Sequence, residues 1–122
     1  MGKPKILFID DEIEYINTIS EYFSMIGFET IKAATGSQGI SMIKEMAPNM
    51  VFCDLKLPDI DGDEVLRLLM DFDDQIPCII VTAFRDDTVV EQLLKNGARQ
   101  VMSKPLSLKE ITGIVMNSLG GK

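Results

Sequence analysis

Three continuous apolar runs, KILFI (5–9), MVFCD (50–54) and PCIIVTA (77–83), constrain this chain more than any other feature. The first is bounded by Pro4 and Asp10, and the second stops on an aspartate. A strand with one face in water alternates apolar and polar residues; a strand covered on both faces does not. These runs therefore predict strands inside a sheet that is packed on both sides.

The segments between them predict helices. Tyr15, Ile19, Tyr22 and Ile26 fall at i, i+4, i+7 and i+11, a stripe that would face the core, and Gly27 would end that helix. FETIKA (28–33) predicts a second, shorter strand. Thr35 with Gln38 three residues on predicts a capping box for a helix through Met46, with Pro48 beyond its end. Strand 50–54, a helix over about 63–72, strand 77–83 and a helix from about Thr88 to Lys95 follow. RQVMS (99–103) is the last strand, and Ser107 with Glu110 opens the last helix. Strands alternating with helices in this way predict an α/β fold: one flavodoxin-like, doubly wound (βα)5 domain. Its parallel five-stranded sheet takes the order 2-1-3-4-5 with right-handed crossovers. A single domain over residues 1–122, without an output domain, is expected.

Charge and composition remove several function classes. The net charge is −7, and Lys and Arg form no cluster, so direct nucleic-acid contact is not expected. An acidic surface suits basic partners or a cation. The chain has no histidine, which excludes histidine acid–base chemistry and His-ligated metals. No apolar stretch approaches the roughly 20 residues that cross a bilayer. The apolar segment near Met1 is too short for a signal peptide, so a cytoplasmic protein with no membrane insertion is expected. Cys53 and Cys78 lie inside strand runs and read as buried free thiols.

Ligands of such sheets sit beyond the carboxyl ends of the strands, near the switch between strands 1 and 3. The first strand ends in Asp10-Asp11, followed by Glu12; the third ends in Asp54; the fourth ends in Thr82-Ala83; the fifth is followed by Lys104-Pro105. Singly, each has a bland reading: Asp11 as a helix cap, Thr82 as a β-branched strand residue, Lys104-Pro105 as a loop dipeptide. Together they bring three carboxylates, a hydroxyl and an ammonium to one edge. Clustered carboxylates raise a pKa or recruit a cation, and hard oxygen ligands with room for water suit Mg2+. An aspartate can act as a nucleophile that forms an aspartyl phosphate, with Mg2+, Lys and Thr neutralising the phosphoryl oxygens.

Taken in order, ILFIDDE, VFCDLKLPDIDG, IIVTA and KNGARQVMSKP make the chain resemble the receiver domain of two-component response regulators. The resemblance spans the whole chain. It implies a phosphorelay protein that catalyses only its own phosphorylation and dephosphorylation. Asp54 would accept a phosphoryl group from a sensor histidine kinase or a histidine phosphotransfer protein. Asp10, Asp11, Asp54 and the backbone carbonyl of Lys56 would hold Mg2+. Lys104 would pair with the phosphoryl oxygens, and Thr82 would move inward to bond them. The Lys104–Pro105 bond would be cis, and Pro58 and Gly62 would shape the loop. A monomer or weak dimer is expected.

The chain departs from the family pattern at Val101, where members usually carry Tyr or Phe that rotates on phosphorylation. That puts the aromatic-coupled output in doubt, though not phosphorylation. Lys56 and Phe84 stand where the family tunes access of water, and a long stem beside a ring is expected to lengthen the life of the phosphoryl group. Ile13 and Ile16, with Ser20, are placed off the core stripe of the first helix and are expected to form a partner-docking flank. The alternative is a degenerate receiver that binds proteins without phosphorylation; the full set Asp10, Asp11, Asp54, Thr82 and Lys104 argues against it. A haloacid dehalogenase phosphatase would show a DxD pattern after its first strand, and a nucleotide-binding domain a glycine-rich loop there. Neither is present.

Overall fold

The computed structural model describes residues 2–120. Its strands are β1 (Lys5–Ile9), β2 (Glu29–Ala33), β3 (Met50–Asp54), β4 (Cys78–Thr82) and β5 (Gln100–Ser103). All pair in parallel, in the order β2-β1-β3-β4-β5. The helices are α1 (Ile13–Met25), α2 (Gly36–Met46), α3 (Gly62–Phe72), α4 (Asp87–Lys95) and α5 (Leu108–Val115), and a π-helical turn, Met116–Gly120, follows. The predicted doubly wound α/β architecture is what the chain adopts. The single-domain expectation also covers Met1, Gly121 and Lys122, which lie outside the described residues.

Two apolar layers explain the unbroken strand runs. Leu7, Ile9, Val51, Cys53, Cys78 and Ile80 pack against Ile43 of α2, Leu66 and Leu69 of α3 and Leu93 of α4. Ile6, Phe8, Met50, Phe52, Ile79 and Val81 point the other way, onto Ile16, Ile19 and Phe23 of α1 and Ile111 and Val115 of α5. Successive residues of a strand face opposite layers, so both must be apolar. Both cysteines are free and fully buried in the first layer, and burial pushes their thiols up in pKa.

Local signals set the boundaries. Gly27, at φ +107°, ends α1 in a Schellman turn: its N–H reaches Ser24 O at 3.4 Å and the Phe28 N–H reaches Phe23 O at 3.0 Å. The Phe28 ring then meets Phe23 edge-on, with ring centroids 5.8 Å apart. Thr35 caps α2 through the Gln38 N–H at 3.1 Å, while the Gln38 side chain turns to the Ala34 N–H rather than closing the box on Thr35. The Ser107–Glu110 box at α5 closes in both directions.

One expectation for α1 is corrected. Its buried stripe is Ile16, Ile19, Ser20 and Phe23; Tyr15 and Tyr22 lie at the edge of that layer and Ile26 is exposed. Ile16 is only 3% exposed, so it is a core residue and no part of a docking flank. Beside the true stripe, Tyr15, Tyr22 and Ile26 continue the apolar surface on one flank, so the spacing fits two phases up to about 100° apart, the turn per residue of an α-helix.

Candidate functional site

The sheet's winding carries each strand's last residue to one edge. Asp10 follows β1, Asp54 closes β3, Thr82 closes β4, and all three are buried. Lys104 follows β5; its N–H bonds the Thr82 carbonyl at 2.8 Å, continuing the ladder one residue past the strand. The Lys104–Pro105 bond is cis.

Carboxylate oxygens of Asp10, Asp11 and Asp54 lie within 4.8 Å of one another. Octahedral Mg2+ takes oxygens at about 2.1 Å, which places opposite ligands about 4.2 Å apart. The donor set and its spread therefore fit a hard divalent cation, and exposed Asp11 leaves room for water. The Asp10 carboxylate is oriented by the Glu12 N–H, 2.9 Å from its Oδ1. The Asp54 carboxylate receives the Lys56 N–H at 3.4 Å.

Lys104 Nζ stands among acids: 2.9 Å from Asp10 Oδ2, 3.2 Å from Asp54 Oδ2 and 2.5 Å from Glu12 Oε1. Burial alone would lower its pKa, but the hydrogen bonds to Glu12, Asp10 and Asp54 and the field of Asp10 outweigh burial and hold it above the ordinary lysine range. The opposite balance holds at Asp54. Burial first, then repulsion from Asp10, raises its carboxyl above the usual range, and Lys104 and the Lys56 N–H only partly offset them. A second positive charge at the cluster would favour the carboxylate form.

The loop after β3 folds back tightly. The Gly62 N–H bonds Leu55 O at 2.7 Å, and a Cβ on Gly62 would sit 2.5 Å from the Asp54 carbonyl oxygen. Any side chain there would push α3 away from the strand end that carries Asp54. Pro58 is exposed on this loop. Thr82 Oγ1 is held by the backbone of Phe84, donating to its carbonyl at 3.0 Å and accepting its N–H at 3.1 Å.

Asp11, Asp54, Thr82 and Lys104 line one open cavity of about 1140 Å3, with Lys56 and Phe84. Two residues placed there by sequence stand differently in detail. Phe84 is 89% exposed, and Lys56 reaches sideways to within 3.8 Å of Asp61. Val101 is buried beneath α4, and the Arg85 guanidinium donates to its carbonyl at 3.3 Å. Ile13 is exposed on the first turn of α1.

Sequence reasoning missed Glu12 as a partner of Lys104 and placed Tyr15 in the core stripe, whereas its ring lies 5.4 Å from the Lys104 ammonium. The available signal was position: Glu12 directly follows the paired aspartates, and Tyr15 stands one helical turn after Asp11.

Residues 6–116 match the family model described as the response regulator receiver domain. The chain is 31% identical over 119 residues to sporulation initiation phosphotransferase F of Bacillus subtilis (strain 168), across 98% of this chain and 96% of that protein. A receiver domain protein (CheY-like) from Methanospirillum hungatei JF-1 shares its fold, with a TM-score of 0.93 at 24% identity over 98% and 96% of the two chains. A chain of the CheX–CheY–BeF3–Mg2+ complex from Borrelia burgdorferi superimposes with a TM-score of 0.88 at 26% identity, over 95% and 89%.

Proposed function

We infer the function of this chain from the premise that it belongs to the response regulator receiver domain family: Asp54 is the acceptor of a phosphoryl group in two-component signalling. The observation that carries this reading is the Asp54 carboxylate, set beside the Asp10–Asp11 pair and 3.2 Å from Lys104 at the mouth of an open cavity. The donor is a phosphohistidine on a histidine kinase or phosphotransfer protein. The name of the Bacillus subtilis relative, a phosphotransferase, supports that assignment.

In the transfer, an Asp54 oxygen forms a bond to phosphorus as the phosphorus–nitrogen bond of the donor breaks, and the leaving imidazole keeps the electron pair and takes a proton. Rigid backbone at the end of β3 aims the nucleophile. Lys104 meets the negative charge on the transferred group, and Thr82 leaves the Phe84 backbone to donate its hydroxyl to a phosphoryl oxygen. Asp10, Asp11, Asp54 and the Lys56 carbonyl would hold Mg2+, which supplies charge neutralisation of the phosphoryl oxygens when bound. Hydrolysis by water breaks the new phosphorus–oxygen bond and returns the carboxylate. The signal is a shift of population in the β4–α4 loop and β5, and the protein turns over no other substrate.

The test is intact mass after incubation with Mg2+ and acetyl phosphate. A gain of one phosphoryl group, lost in Asp54→Asn and without Mg2+, is expected; no gain under any condition overturns the reading.

A further inference from the structure

Three carboxylates surround the Lys104 ammonium, and one of them has no other assignment. Asp10 and Asp54 belong to the cluster that fits a cation. Glu12 does not, yet its Oε1 is the nearest of the three at 2.5 Å. With Asp10 and Asp54 engaged as ligands of a divalent cation, Glu12 would remain as the lysine's dedicated partner. The two side chains also differ in freedom: that of Lys104 is 13% exposed and that of Glu12 60%. The lysine is kept at the site by its ladder bond to Thr82 and by the Tyr15 ring beneath it. Glu12 can swing into water at small cost.

We propose that Glu12 is a positioning residue for phosphoryl transfer, the resting counter-ion that holds Lys104 until phosphoryl oxygens take its place. This rests on the receiver reading above and deepens it. A phosphoryl group on Asp54 brings close to two negative charges within reach of the ammonium. To meet them, Lys104 gives up the Glu12 carboxylate, and repulsion between that carboxylate and the phosphoryl oxygens favours the exchange. Breaking the pair is part of the barrier to acquiring the group, so Glu12 holds the ammonium in place at rest and slows phosphorylation.

The experiment compares wild type with Glu12→Gln, which keeps shape and hydrogen-bonding oxygen but removes the charge. Phosphoryl gain is followed by intact mass over a series of acetyl phosphate concentrations in Mg2+, beside NMR of the Lys104 ε-methylene. The maximal rate is expected to rise about two- to five-fold, the size of one partly exposed ion pair, with donor half-saturation unchanged. The Lys104 resonance is expected to move in the resting protein and to coincide with wild type after phosphorylation. An equal or slower rate overturns the proposal, as does a faster rate with an unmoved resonance, which would trace the effect to general surface charge. If wild type itself gains no phosphoryl group, the receiver reading fails. The resting resonance then decides alone: moved, it upholds Glu12 as the counter-ion; unmoved, it removes it.

Discussion

Asp59 caps a helix that is not its own: its Oδ1 accepts the N–H of Gly36 at 2.8 Å and its Oδ2 that of Ser37 at 3.0 Å. These are the first residues of α2, where the helix dipole favours an anion. The loop that follows Asp54 is therefore fastened to a neighbouring helix. Hydrogen bonds from Ser37 foremost, then from the Ile60 and Gly36 N–H groups, hold the Asp59 carboxyl far below the usual carboxylate range.

That fastening predicts a pH dependence. Because folding lowers the Asp59 pKa, its ionised form adds stability above the unfolded value near 4, and the contribution is lost as pH falls below that value. Asp59→Ala is expected to lower Tm by about 2–5 °C at pH 7, as a lost helix cap does in a domain of this size. The gap between wild type and variant should stay level down to about pH 5 and narrow below about pH 4. Thermal melts from pH 3 to 7 check this; a gap that ignores pH would mean the side chain acts without its charge.

Removing the ammonium should expose the repulsion that it masks. In Lys104→Met, Asp10 and Asp54 lose their shared cation. The variant should be less stable than wild type in EDTA, by about 3–5 kcal/mol for buried charge left unpaired, and melt at a lower temperature. Millimolar Mg2+ should raise the Tm of wild type, and of the variant by more, since the ion no longer competes with an ammonium. Equal Mg2+ shifts in the two proteins would show that the lysine does not share the cation's ligands.

Thr82 should connect phosphorylation to the β5 edge. Its hydroxyl holds the Phe84 backbone, and the next residue, Arg85, holds the Val101 carbonyl. With valine at the position usually occupied by the rotating ring, this chain of contacts is one route from the site to the edge strand, beside Lys104, which directly follows it. Thr82→Val is expected to gain the phosphoryl group in acetyl phosphate but to lose most phosphorylation-induced amide shifts at Arg85 and Val101. Full shifts in the variant would place the coupling elsewhere.

Phe84 should govern how long the group survives. Phe84 lines the rim of the cavity yet is 89% exposed. If Thr82 turns to a phosphoryl group, the Phe84 backbone it now holds would be free to bring the ring over the cavity, beside the Lys56 stem. Phe84→Ala is expected to shorten the phosphoryl lifetime several-fold, read from the decay of intact mass after donor removal. An unchanged decay would leave the ring out of the water path.

The two isoleucines of α1 should separate cleanly. Ile16→Ala removes core contacts and is expected to cost about 2–4 kcal/mol in urea unfolding. Ile13, 48% exposed, should tolerate Ile13→Glu within about 0.5 kcal/mol. If this end of α1 meets the phosphodonor, Ile13→Glu slows transfer from the donor protein while acetyl phosphate still works; slowing of both would count against docking there.

The placement of Asp10, Asp54, Thr82 and Lys104 was legible because it depends on chain order alone. In a parallel sheet wound in one hand, every strand delivers its last residue to one edge, whatever rotamer that residue adopts. The continuous apolar runs carried the same kind of information, since strands covered on both faces leave no polar position.

Pairing and phase were not legible. Glu12 and Lys104 are 92 positions apart, and Asp59 and Gly36 are 23 apart. Whether such residues meet depends on loop paths of a few ångströms that no spacing encodes. In α1, apolar residues at 15, 16, 19, 22 and 23 satisfy two helical phases, and only the sheet beneath selects the one that buries Ile16 and turns Tyr15 toward Lys104. The sequence by itself determined which chemical groups reach the edge, because topology follows from the order of elements. Tertiary structure decided which of them touch, because hydrogen bonds and ion pairs require donor and acceptor within about 3 Å.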